Sequence, residues 1–170
     1  MKILSLFANI GVAEAYLKEI GFDVVVANEL IEIRAILYSK IYPETHMIFG
    51  DITDKNTFDK IVKESIGAGV NIIMATPPCQ GMITVGQQLA DDVRNRLVCQ
   101  VIEAVKEIKP QYVMIENVPA FLATEILVGE KKILIPELLN EELGNDYIIH
   151  KNIIDTKDYS VPQTRERELK

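Results

Sequence analysis

The run Thr76-Pro77-Pro78-Cys79-Gln80-Gly81 carries the sharpest chemical signal in the chain. Two consecutive prolines fix the backbone ahead of Cys79, and a thiol presented that way can attack as its thiolate. The other cysteine, Cys99, sits inside Leu97-Val98-Cys99-Gln100-Val101, an apolar setting that suits packing. A redox pair would need a second cysteine shortly after Cys79, and none stands there. Ile115-Glu116-Asn117-Val118-Pro119 puts a carboxyl at the end of an apolar run, where it serves either as an acid or as a helix cap. Gln163-Thr164-Arg165-Glu166-Arg167 spaces two guanidinium groups at i and i+2, on one face of an extended chain. Such groups hold a base carbonyl, a phosphate or a thiolate, unless the segment is simply a solvated charged tail.

A second set of residues has the chemistry of a nucleotide-type site. Ser5-Leu6-Phe7-Ala8-Asn9-Ile10-Gly11 leads from an apolar strand into a small-residue turn, where a ligand can approach backbone N–H groups. Only one glycine is present, so a plain connection fits this segment equally well. Glu29 and Asp51 follow the next two apolar runs. A carboxylate at the tip of the second strand accepts from ribose hydroxyls, although either acid could equally favour a helix start.

The elements that must position these residues alternate. Strands are expected over residues 2–7, 23–27, 46–49, 70–75, 112–115 and 147–154. Helices are expected over 12–20 (with Gly21 as the stop), 30–40, 56–65, 93–108 and 132–143. Strands this apolar, alternating with helices, predict a parallel sheet covered on both faces in a single domain spanning 1–170. Residues 76–92 and 155–170 lack periodicity, and 76–92 is a long loop at the carboxyl end of a strand, the place where open α/β sheets bind ligands.

Composition narrows the class. With 170 residues, 48% hydrophobic and 25% charged, the chain is an ordinary globular sequence and neither disordered nor repetitive. Two cysteines make neither a disulfide framework nor a four-ligand zinc site, so no metal is expected and a reducing, cytoplasmic location is. No apolar run is long enough for a membrane span and no signal peptide is evident. A net charge of -7 argues against a surface that binds nucleic acid everywhere, though not against a local cleft that does.

Taken in order, Leu6-Phe7 with Gly11, Glu29, Asp51, Pro78-Cys79-Gln80, Glu116-Asn117-Val118 and Gln163-x-Arg165-x-Arg167 resemble the cytosine-C5 DNA methyltransferases, from their first motif to their eighth. The resemblance implies a three-layer, Rossmann-like, S-adenosylmethionine-dependent methyltransferase fold, mostly parallel and incomplete on its C-terminal side. It implies that Phe7, Ala8, Gly11, Glu29, Asp51, Ile52, Pro77 and Leu97 bind S-adenosylmethionine. It implies that Cys79 attacks C6 of a cytosine flipped out of duplex DNA, that Glu116 serves N3 and N4, and that Arg165 and Arg167 hold O2. Gln80, Asn117 and Gln163 would contact the substrate, and 76–92 would be the catalytic loop.

The sequence departs from that family at three places. Ser5, Asn9 and Val12 replace an aspartate and two glycines of the usual first motif, and Met82-Ile83-Thr84 follows the Cys-Gln pair in place of the common Phe-Ser. The target-recognition domain and the last motifs of the family are not found within the 170 residues. The expectation is therefore one subunit of a split restriction-modification enzyme, needing a second chain that carries the missing parts. The alternatives are a degenerate cofactor-binding module and an enzyme acting on RNA.

Overall fold

Each strand begins where β-branched and apolar residues run together and ends where a turn residue interrupts them. β1 (Lys2–Leu6) and β2 (Asp23–Glu29) become fully buried along their length, as parallel strands covered on both faces do. The computed structural model describes residues 1–78, 97–129 and 131–170. These fall into two compact units, Met1–Thr76 with Glu103–Met114, and Pro77–Ile102 with Ile115–Lys170.

In the first unit β1 lies between β2 and β4 (Ile72–Ala75), and β3 (His46–Phe49) lies outside β2, all parallel. The sequence alternates these strands with α1 (Glu32–Ile41) and α2 (Lys55–Ala68). Helix α2 starts at Asp54, whose side chain accepts from the Thr57 N–H at 3.0 Å, and stops at Gly69 in the left-handed region. Buried residues of β1 and β4 (Ile3, Ile72 and Met74) form one core cluster, and Ala8, Ala27 and Tyr38 form another.

The second unit takes in the end of β5 (Tyr112–Asn117). Next to it lies β9 (Glu166–Leu169), antiparallel both to β5 and to β8 (Asn152–Asp155). A separate hairpin, β6 (Glu125–Val128) with β7 (Lys131–Leu134), leads into α4 (Ile135–Leu143). Helix α3 (Leu97–Ile108) contributes to both units and buries Val98, Val101, Ile102 and Val105, one face at helical spacing. The result is the α/β architecture with a mostly parallel sheet that the alternation predicts. No helix among the described residues is long and apolar enough to cross a membrane.

Four elements differ from the periodicity. Residues 12–20 form successive turns, with Leu17 N–H donating to Glu14 and Ile20 N–H to Leu17, ending in a 3-10 turn at Lys18–Ile20. The helix expected there would bury Tyr16 and Ile20, but both are exposed and Glu14 takes the inward position. Gly21, with φ 85°, still ends the segment. The helix expected over 132–143 starts three residues late, because Pro136 suits the first turn and would clash with the carbonyl four residues back if the helix began earlier. Its first residues form β7 instead. The strand expected over 147–154 is confined to Asn152–Asp155, the length its partner β9 can pair. The stretch 155–170, read as lacking regular structure, contains β9, so the sheet reaches further toward the C-terminus than periodicity indicates.

Candidate active site

In the first unit the turn after β1 is built from unusual backbone. Phe7, Asn9 and Gly11 all have positive φ, at 61°, 54° and 83°. Asparagine tolerates this conformation better than most residues. Glu29 holds the turn. Its carboxylate accepts the Asn9 N–H at 2.8 Å and the Ile31 N–H at 2.9 Å, so the turn is clamped to the start of α1. Asn28 supports it by donating to the carbonyls of Ile48 and Gly50. The Thr76 hydroxyl donates to the Phe7 carbonyl at 3.1 Å and closes the turn from β4.

Ala8, within this turn, and Ile52 are buried, and Asp51 is exposed. Sequence alone left Asp51 open between a ligand and a cap. Its carboxylate accepts from the backbone and hydroxyl of Thr53, both at 2.8 Å, and the cap of α2 belongs to Asp54.

Glu14 has no counterpart in the sequence reading. It is buried, and its Oε2 atom has no hydrogen-bond partner among the described residues. Burial pushes its carboxyl up from the ordinary range, while hydrogen bonds from the Ser5 and Tyr38 hydroxyls pull the other way. Tyr38 and Tyr42, at i and i+4 on α1, pack with ring centroids 4.9 Å apart. The Tyr42 hydroxyl donates to the Gly11 carbonyl at 2.6 Å.

In the second unit the sequence-predicted residues come together around β5 and β9. Register pairs Glu116 with Leu169, which places Arg167, two residues earlier on β9, on the same face as Glu116. The Arg167 Nε atom lies 2.8 Å from Glu116 Oε1, with both side chains partly exposed, and Arg167 Nη1 donates to the Glu166 carbonyl. Asn117 is buried and its side-chain amide donates to the Pro77 carbonyl at 3.1 Å. The Glu116-Asn117-Val118 segment is thereby tied to the proline run that precedes Cys79. Cys79 and Gln80, with most of the expected loop 76–92 and residues 93–96 of the expected helix, lie outside the described residues.

Arg165 and Gln163 are exposed and precede β9. The Arg165 N–H donates to Asp155 Oδ1 at 2.9 Å, and the Gln163 carbonyl accepts from the Thr156 hydroxyl at 2.6 Å. Asp155, at the end of β8, thus anchors the arginine segment; Lys157 above all holds its carboxyl below the usual range. Sequence inspection missed it because the Arg165 N–H that it accepts stands ten residues further along the chain. On the opposite face of β9 from Arg167, Glu168 is fully buried 3.7 Å from the Lys170 ammonium. Burial raises the Glu168 carboxyl and lowers the Lys170 ammonium, so both shift toward their neutral forms. Leu97 opens the described part of α3 and is half-buried, and Cys99 lies two residues later on the same helix.

Glu29 ends a parallel strand of the first unit, and the Glu-Asn-Val and Gln-x-Arg-x-Arg segments belong to the second. The chain belongs to the C-5 cytosine-specific DNA methylase family, whose sequence model matches residues 1–169. It is similar to the Type II methyltransferase M1.HgaI of Avibacterium volantium, 43% identical over 98% of this chain and 48% of that protein. It is also similar to the Type II methyltransferase M.XorII of Xanthomonas oryzae pv. oryzae, 28% identical over 96% of this chain and 38% of that protein. Among solved structures, the S. pombe Dnmt2 methyltransferase shares the fold, with a TM-score of 0.73 and 18% identity over 99% of this chain and 47% of that one. The chain spans about half the length, or less, of the curated relatives it matches.

Proposed function

We propose that this chain is the cofactor-binding and catalytic part of an enzyme that transfers a methyl group from S-adenosylmethionine to C5 of cytosine in duplex DNA. The observation that carries the proposal is the Glu116–Arg167 pair at 2.8 Å. Cytosine presents O2, N3 and N4 in a row along one edge. A guanidinium beside a carboxyl matches that edge, donating to O2 while the carboxyl accepts from N4 and serves N3.

The first turn has a donor set that fits the cofactor. Both Glu29 oxygens already accept a backbone N–H, yet a carboxylate offers roughly four acceptor directions, which leaves places for the two ribose hydroxyls. Phe7, Ala8, Gly11, Asp51, Ile52, Pro77 and Leu97 complete the proposed cofactor set. S-adenosylmethionine supplies an electrophilic methyl group there.

Cys79, as thiolate, attacks C6 and forms a carbon–sulfur bond. Charge pushed into the ring is met at N3 by the Glu116 proton and at O2 by Arg167, with Arg165 beside it. C5, now nucleophilic, takes the methyl group. Water then takes the C5 proton, the C5–H electron pair restores the C5–C6 double bond, and the carbon–sulfur bond breaks to release the Cys79 thiolate. Gln80, Asn117 and Gln163 contact the substrate in this scheme, and Asn117 also holds Pro77. Target reading is assigned to a second chain, because a net charge of -7 provides little attraction for a DNA backbone.

The test is covalent trapping on duplex DNA containing 5-fluorocytosine, whose fluorine cannot leave as a proton does. Supplied with the complementary chain and cofactor, the protein should give a denaturant-resistant complex, and Cys79→Ser should give none. A complex that forms with Cys79→Ser would remove Cys79 from the mechanism.

A further inference from the structure

The turn after β1 holds two non-glycine residues, Phe7 and Asn9, at positive φ, and it is tightly held. One cause is Glu29, described above. The other comes from the far end of α1. Tyr42, at the C-cap of that helix, donates its hydroxyl to the Gly11 carbonyl at 2.6 Å. Its ring also lies where a Cβ on residue 11 would be, so Gly11 is required by this close approach as well as by its φ of 83°. The ring is fixed in turn by Tyr38, which is fully buried with Ala8 and Ala27 and whose hydroxyl faces Glu14 at 3.5 Å.

We propose that Tyr42 is a positioning residue for the cofactor turn: from the end of α1 it steadies a turn in which two non-glycine residues, Phe7 and Asn9, hold positive φ. The turn's carbonyl at Gly11 points to Tyr42, which directs the neighbouring N–H groups elsewhere and sets the distance between the turn and α1. The hydroxyl supplies the direction and the Tyr38 ring supplies the rigidity. This deepens the reading that the turn binds S-adenosylmethionine, and rests on it.

Tyr42→Phe tests the idea because it keeps the ring and removes only the hydroxyl. Two measurements separate the outcomes. Amide hydrogen exchange at Ala8, Asn9 and Gly11, read without ligand, should accelerate about 3- to 10-fold in Tyr42→Phe while exchange in β4 and α2 stays unchanged. Calorimetric affinity for S-adenosylhomocysteine should fall by about 2- to 10-fold with the melting temperature nearly unchanged. Tyr42→Leu, which also removes the aromatic packing, should lose more in both. Unchanged exchange at the turn in Tyr42→Phe overturns the proposal, as does a loss of affinity that merely follows a drop in melting temperature. If the parent chain does not bind the ligand at all, the cofactor reading fails, and the exchange data still decide whether Tyr42 governs the turn.

Discussion

At the scale of single residues, two acids with similar burial do different work. Glu29 spends both oxygens on backbone N–H groups of the turn and of the start of α1, so its loss acts on the shape of the turn as well as on the proposed ribose contact. Glu29→Ala should weaken S-adenosylhomocysteine binding by about 1–3 kcal/mol, measured by calorimetry on protein shown by circular dichroism to be folded. Binding that does not change would move the ribose site away from the strand tip. Glu14, by contrast, is buried with one oxygen unpartnered, and its folded carboxyl holds its proton more tightly than the unfolded chain does. Its contribution favours folding fully below the ordinary carboxyl value of about 4.3 and fades as pH rises through the higher folded value. Glu14→Gln should therefore raise the urea midpoint at pH 7 and change it little at pH 4. Glu29 could be singled out in the sequence because it ends an apolar strand, but its grip on the Asn9 and Ile31 N–H groups could not be read there. Glu14 was not legible, because its importance comes from Ser5 and Tyr38 lying against it, and no spacing records that.

At the scale of elements, the segment that carries the arginines depends on a residue at the end of another strand. Asp155 accepts the N–H groups of Lys157 and Arg165 and so fixes how the chain enters β9. Asp155→Ala should lower the urea midpoint and speed amide exchange at Arg165 on the order of tenfold, with little change at β1 or β2. The effect should shrink as pH falls toward the acid range, because Asp155 is held below its ordinary value and its stabilising interactions are lost only on protonation. The long apolar strands and α3 were legible because burial on both faces or on one helical face leaves a period. β9 was not, since Glu166-Arg167-Glu168-Leu169 is a strand only by virtue of its two partners. The turns at 12–20 fail for the converse reason: an apolar period is present, but Glu14 occupies the inward side.

At the scale of the whole molecule, the two compact units divide the proposed chemistry. The first holds the turn, Glu29 and Asp51; the second holds Glu116, Asn117 and the arginines. The order of these motifs along the chain was readable in the sequence because it depends on residue type and position alone. The pairing of Glu116 with Arg167 was not, because it follows from β9 lying antiparallel beside β5. That pairing is what makes cytosine, with its acceptor–donor edge, the base this reading selects. The direct measurement is nucleoside mass spectrometry of duplex DNA incubated with the chain, the proposed complementary chain and methyl-labelled S-adenosylmethionine. The account predicts label in 5-methylcytosine with the unaltered protein and none with Cys79→Ser. Label in N4-methylcytosine or N6-methyladenine, or 5-methylcytosine formed equally well by Cys79→Ser, would contradict it.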